Sequence, residues 1–283
     1  MTVGTVIKKV RVNKGISSND LYDGLLSRPA RVKFEKGESD TTTSKFLNML
    51  DRLNITLEEF QFILNKDSNY TYFLKEYYTA FYNKDIGLLE QISAKAKTEY
   101  QVKRDEKYLH HSTLINLLID YLNKSQKHLD EVAIIKNYLF SCENWGYYEL
   151  TLFTNTLSFF SEEMIDVVYK QVRTKLLLYK DLNLYRNEIS TLLLNILEKK
   201  FMLYNFKSAK FYVNELKQLK YSVLDNMYIQ IMIKYFESLI EVSSGNKEAE
   251  KNIMKICDIF EFLSMNLKAE QCLSLYEHIK QHV

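Results

Sequence analysis

The chain has 283 residues, 46% of them hydrophobic and 26% charged, which is enough for one domain of ordinary size plus a smaller one, with a core and a soluble surface. Only seven glycines and one proline occur, against roughly 12% of residues in an average protein. Sheets and irregular loops need those residues at their turns, whereas helices joined by short polar connections do not. A sheet-rich fold is excluded and an all-α one is predicted.

The net charge of +2 gives the chain as a whole no reason to meet nucleic acid, but the charge is unevenly spread. Residues 1–37 carry Lys8, Lys9, Arg11, Lys14, Arg28, Arg31, Lys33 and Lys36 against Asp20, Asp23 and Glu35. Such a local excess is the footprint of a polyanion partner, although a solvated basic face looks the same. The helix breakers cluster in the same place. Gly4, Gly15, Gly24, Pro29 and Gly37 all precede residue 38, and only Gly87, Gly146 and Gly245 follow. Two kinds of helical structure are therefore joined, with a boundary placed after residue 66: a domain over 1–66 and another over 67–283.

Along the first domain, Val3, Val6, Ile7 and Val10 repeat at helical spacing, with the lysines on other faces. Gly15 closes this helix as a C-cap glycine does. Ser17 or Ser18 opens a short second helix carrying Leu21, Tyr22 and Leu25, followed by a tight turn at Gly24. Ser27 is the next N-cap, and Pro29 fits only in the first turn of a helix, where its missing N–H is not needed. The third helix reads Arg28 to Lys36, closed by Gly37, with Phe34 and Ala30 inward and Arg28, Arg31 and Lys33 left for solvent or a partner. A fourth helix places Phe46, Leu47, Leu50 and Leu53 on one face. Thr56-Leu57-Glu58-Glu59 is a capping box before a fifth, which carries Phe60, Ile63 and Leu64.

Five short helices with a glycine-turned second and third resemble the lambda-repressor-like helix-turn-helix, and the string from Ser27 to Glu38 is similar to that family's recognition-helix signature. The resemblance implies that the third helix lies in the major groove, with Ser27, Arg28 and Arg31 at DNA and Lys33 on a phosphate. It also implies an ion pair between Arg11 and Glu35 that ties the first helix to the third.

From about Tyr70 onward, apolar positions recur at helical spacing with little interruption. Segments such as Tyr204 to Tyr212 and Trp145 to Leu150 resemble the inner part of a tetratricopeptide unit, but their spacing is irregular. Degenerate repeats stacked as paired helices into an α-solenoid are predicted, with a concave surface suited to a peptide or another helix. Asn155 and Asn195 each sit inside an apolar stretch. A carboxamide there can bond to an extended peptide's backbone or to a neighbouring turn of the core.

Across its whole length the chain resembles the Rgg family of regulators, including the MutR and GadR relatives. The carriers are Phe34-Glu35-Lys36-Gly37-Glu38, Leu50-Asp51-Arg52-Leu53-Asn54-Ile55-Thr56 and the string from Glu143 to Phe153. The resemblance implies a homodimer on double-stranded promoter DNA whose C-terminal repeats bind a short hydrophobic peptide, as in quorum sensing. It points to Asn155 and Asn195 for the peptide, then to Tyr228 and Met232. Some members link the dimer through a cysteine in the DNA-binding domain, and residues 1–66 contain none, so dimerisation is expected through C-terminal helices. Two other readings stay open: a helical-repeat adaptor for a protein partner, and a DNA-binding regulator that senses no peptide.

No phosphate loop, nucleophile elbow or zinc spacing occurs, so no enzyme, cofactor or metal site is predicted. His278 and His282 are read as a solvated terminal pair, and His110-His111 as a helix-surface or connection pair. Glu162-Glu163 after Ser161 is read as charge complementing a helix dipole. Cys142, Cys257 and Cys272 are read as reduced thiols in a cytoplasmic protein; no apolar run approaches a membrane span, and the N-terminus lacks a signal-peptide core.

Overall fold

The computed structural model describes residues 1–64, 69–220 and 226–282, with side chains described outside 69–75 and 220. Every regular element among them is helical. The chain divides into two compact units, Met1–Ile92 and Ser93–Val283. The boundary expected after residue 66 lies outside the described residues.

The first unit opens with five helices, α1 (Val3–Asn13), α2 (Ser18–Tyr22), α3 (Arg28–Lys36), α4 (Thr43–Arg52) and α5 (Leu57–Leu64). Thr2 and Thr5 cap α1 reciprocally, and the Ser17 hydroxyl accepts from the Asp20 amide to cap α2. The capping box at α5 is present, with the Thr56 amide donating to Glu59 at 2.6 Å and the Glu59 amide to the Thr56 hydroxyl at 3.1 Å. Val6, Ile7, Val10, Leu21, Tyr22, Phe34, Met49, Leu50, Leu53 and Phe60 form one buried cluster. Burying a side chain such as Phe34 stabilises by about 1.5–3 kcal/mol.

The face of α4 differs from the one predicted. Leu47 is 49% exposed, and Met49 is buried in its stead, because positions 46, 49, 50 and 53 are the ones that share a face at 3.6 residues per turn. A close contact sets the approach of α1 to α3. A Cβ on Gly4 would stand 1.7 Å from the Phe34 carbonyl oxygen, so only glycine lets the two backbones meet. At the same crossing Gly37 has φ +76° and lies against Thr2.

α6 (Asn69–Tyr82) follows, and the second unit begins within α7 (Ile86–Lys103) and runs through α8 (Glu106–Asn123), α9 (Val132–Ser141) and α10 (Tyr147–Thr156). It continues with α11 (Glu162–Leu178), α12 (Asn183–Met202), α13 (Phe206–Lys220), α14 (Met227–Ser243), α15 (Glu248–Phe262) and α16 (Asn266–Lys280). Consecutive helices from α12 to α16 pack side by side, and three of their four connections are only three or four residues long, as in stacked helical hairpins. The scarcity of glycine has a local counterpart. Lys124, Tyr204 and Ser264 adopt positive φ of 52°, 57° and 58° at helix ends, where glycine is the usual occupant.

Ion pairs buried between helices reinforce the stack. Lys200 of α12 is 1% exposed and sits 2.8 Å from both Glu162 and Asp166 of α11. Glu215 of α13 is held by Arg173 and by the Tyr169 hydroxyl, both on α11. Glu162 and Glu163 stand in the first turn of α11, where their charge complements the helix dipole, and the Ser161 hydroxyl caps the same end by accepting from the Met164 amide. Glu162 has the additional task of neutralising a buried lysine, without which that charge would be very costly.

Candidate DNA interface and peptide groove

α2 and α3 are joined by a turn through Gly24, and α3 presents its outer side to solvent. Ser27, Arg28, Pro29, Val32, Lys33 and Lys36 are exposed, while Phe34 faces the core. Ser27 starts α3 without using its hydroxyl as a cap, so that group stays available at the helix N-terminus. Arg28, Val32 and Lys36 line up at intervals of four residues, which makes them one stripe. Val32 is 52% exposed and was not among the residues singled out from sequence. Its spacing from Arg28 is the signal that could have found it.

Arg31 occupies a different position from the one expected. Its Nε donates to the Leu26 carbonyl at 2.8 Å, and its Nη1 to the Asn19 side chain at 2.7 Å and towards the Ser18 carbonyl at 3.4 Å. The guanidinium is turned back onto α2 and the turn, away from the exposed stripe. Arg52 of α4 closes the other end, with Nη1 donating to the carbonyls of Leu21 (2.9 Å) and Asp23 (2.7 Å). Arg52 therefore satisfies carbonyls that the C-terminal end of this five-residue helix leaves open, while Arg31 ties the start of α2 to the turn before α3.

The ion pair implied between Arg11 and Glu35 is present and two-pronged, at 2.8 and 3.1 Å. The Tyr22 hydroxyl donates to the same carboxylate at 2.9 Å. Hydrogen bonding to Glu35 raises the Arg11 pKa. Burial first, and then the bond to Glu35, push the Tyr22 phenol well up. Each group is held in the form that keeps α1 and α3 together.

In the second unit α12 packs against α10, α11, α13, α14 and α16. Asn155 of α10 and Asn195 of α12 are both half-buried, at the accessible edges of neighbouring helices. Along α12 the exposed positions are Asn183, Leu184, Asn187, Thr191, Glu198 and Met202, while Ile189, Leu192, Leu193, Ile196 and Leu197 are buried behind them. Asn195 thus lies on a stripe with an uncharged polar middle.

The other two expected contacts are placed differently. Met232 is 1% exposed and lies in the floor of a narrow cleft with Tyr235, Phe236 and Leu275, beneath Glu198 and Lys268. It is a core residue and presents no surface. Tyr228 is half-buried with its ring 6.2 Å from Phe260 of α15. The family resemblance alone pointed to these two residues, and of them Met232 belongs to the packed side of α14.

The surface position expected of His110-His111 needs correction, whereas His282 is exposed, as expected of a solvated terminal pair, and His278 is half-buried. His110 and His111 are buried, at 2% and 6% exposure, rather than on the surface. His110 shares a 2.8 Å hydrogen bond with the Tyr148 hydroxyl and lies 4.4 Å from the Tyr138 ring. Burial lowers the pKa of both and brings His111 to about 4. His278 and His282 stack on Tyr204, at 4.7 and 3.9 Å between ring centres, and His278 also bonds the Met202 carbonyl. They fasten α16 to the turn after α12.

The string beginning at Trp145 builds the start of α10. The buried indole donates to the Leu139 carbonyl at 3.3 Å and packs on Phe153, and Glu149 reaches back to the Gly146 amide at 2.8 Å.

Residues 94–274 match the family described as "HTH-type transcriptional regulator Rgg, C-terminal domain". The chain belongs to the Rgg family. Solved structures share the fold over the whole chain. The Streptococcus dysgalactiae SHP pheromone receptor Rgg2 is 22% identical with a TM-score of 0.77, covering 99% of this chain and 100% of that one. A protein from Listeria monocytogenes EGD-e is 20% identical with a TM-score of 0.83, covering 99% and 97%. The PrgX/cCF10 complex is 19% identical with a TM-score of 0.77, covering 99% and 100%. Membership of the Rgg family accords with the string from Glu143 to Phe153, which lies inside the matched segment. Among the described residues no helix is long and apolar enough to cross a membrane.

Proposed function

We propose that this Rgg-family protein is a regulator that reads promoter DNA with α3 and responds to a short apolar peptide held against α10 and α12. Its DNA-binding domain would span residues 1–66 and its sensing domain residues 67–283. The observation that carries the DNA half is the exposed Arg28–Val32–Lys36 stripe on a helix whose inner face and preceding turn are anchored by Arg11–Glu35, Arg31 and Arg52.

In this reading Arg28 makes a two-pronged contact to guanine, Val32 meets a thymine methyl, and Ser27 and Lys33 contact phosphates. Arg31 acts by positioning. Family membership and the peptide-receptor titles of the fold relatives support the sensing half, with Asn155 and Asn195 bonding the peptide backbone. Homodimerisation through the C-terminal helices would set two α3 helices one turn of DNA apart, and the cytoplasm is where such a protein would meet both partners.

The test is DNA binding by the full chain to its own upstream region and to random duplex. Arg28→Ala should lower affinity for the upstream site by about 1–3 kcal/mol while hardly changing random binding. Lys33→Ala should weaken both alike and reduce the salt slope by about 0.9. Equal effects of the two variants on both duplexes would refute the assignment.

A further inference from the structure

We propose that Glu188 is the specificity residue of the α10–α12 surface, where it receives a cationic group of the ligand: the free N-terminal ammonium of a peptide or a basic side chain. The inference rests on the reading of that surface as a peptide site. Seven residues separate Glu188 from Asn195, which at 3.6 residues per turn returns it to within about 20° of the same direction. Both are half-buried, and the helix between them is buried on its other side.

The carboxylate is poorly provided for. The hydroxyl beside it, that of Thr154 on α10, has one proton and also stands 2.9 Å from the Leu150 carbonyl. Carboxylates on α11 and α13 show the usual arrangement: Glu162 and Asp166 share Lys200, and Glu215 holds Arg173. Glu149 on α10 has two donors, the Tyr138 hydroxyl and the Gly146 amide.

Glu188 has no ion-pair partner among the described residues. The cations that share its helix are directed elsewhere, Arg186 to the Asn183 side chain, Lys199 to the carbonyls of Ser158 and Phe160, and Lys200 to α11. Burial raises its pKa, as it does for an acid whose charge lacks a counterpart. A half-desolvated carboxylate without a cation costs stability, and a ligand cation would remove that cost. Any peptide with a free N-terminus brings such a cation.

The experiment incubates the full chain with three pools of short synthetic peptides randomised over Ala, Val, Leu, Ile and Phe. The first has free N-termini, the second is N-acetylated, and the third is N-acetylated with one lysine added. Retained peptides are separated by size exclusion and identified by mass spectrometry. Wild type should retain the free-amine or the lysine pool about tenfold over the acetylated lysine-free pool, the scale of one charge-assisted hydrogen bond. Which of the two is enriched identifies the source of the cation.

Glu188→Gln should bring the pools to within about twofold of each other while apolar peptides are still retained, without lowering the melting temperature. Equal retention of all three by wild type, or a preference that survives in Glu188→Gln, overturns the role of Glu188 and leaves the groove intact. Retention of no pool overturns the groove itself and Glu188 with it. The wild-type comparison is decisive even if the variant does not fold.

Discussion

Glu35→Ala is the most direct probe of how the DNA-reading helix is held. Arg11 and Glu35 are only 13% and 12% exposed at the side chain, and Tyr22, which donates to the same carboxylate, is fully buried. Removing the carboxylate leaves the guanidinium with only the Ile16 carbonyl, at 3.0 Å, and strips the Tyr22 hydroxyl of its acceptor. Breaking a fully buried pair costs about 3–5 kcal/mol. The residual exposure of both partners admits some solvent screening, which brings the expected loss to about 2–4 kcal/mol. Arg11→Met should cost a similar amount, because it orphans Glu35 instead. The double variant Arg11→Met/Glu35→Met buries no unmatched charge, so it should cost less than the sum of the singles by about 2 kcal/mol or more. Native-state hydrogen exchange of the α1 and α3 amides in the full chain reads the local opening energy without requiring two-state unfolding of both units. Strict additivity, or a loss below about 0.5 kcal/mol for Glu35→Ala, would refute the reasoning, since an exposed pair behaves that way.

Three further outcomes follow from particular contacts. Burial, then the neighbouring His110 and Lys107, lower the His111 pKa to about 4 from 6.5, with Asp105 opposing. The unfolded chain therefore binds the proton first, and stability that is intact above pH 6.5 should fall as pH drops towards 4, by on the order of 3 kcal/mol; thermal melts of wild type and His111→Asn across that window should converge on acidification. Gly4→Ala should force α1 away from the Phe34 carbonyl, costing about 1–3 kcal/mol and weakening binding to specific and random DNA together, as gel shifts would show. Arg31→Lys should lower affinity for both kinds of DNA by a similar factor, because lysine cannot bridge Leu26 and Asn19; a selective loss of sequence preference would instead make Arg31 a base reader.

The helical content, the caps at Ser17 and Thr56, the start of α3 at Ser27 and its closure at Gly37 were legible in the sequence, because each depends on a residue and its neighbours within one turn. The Arg11–Glu35 tie was legible only through the family signature, since nothing local connects residues 24 apart. What each polar side chain does on its surface was decided by tertiary structure. Arg31 and Arg28 look equivalent along the helix, yet the turn before α3 brings open carbonyls to Arg31 alone. Leu47, Met232 and the His110-His111 pair were misplaced for a related reason: which flank of a helix is covered depends on neighbours distant in sequence. Lys200 and Glu188 show the same limit for charge. Both sit on α12 in mixed apolar and polar surroundings, and only the packing of α11 and α10 gives one its acids and leaves the other without a cation.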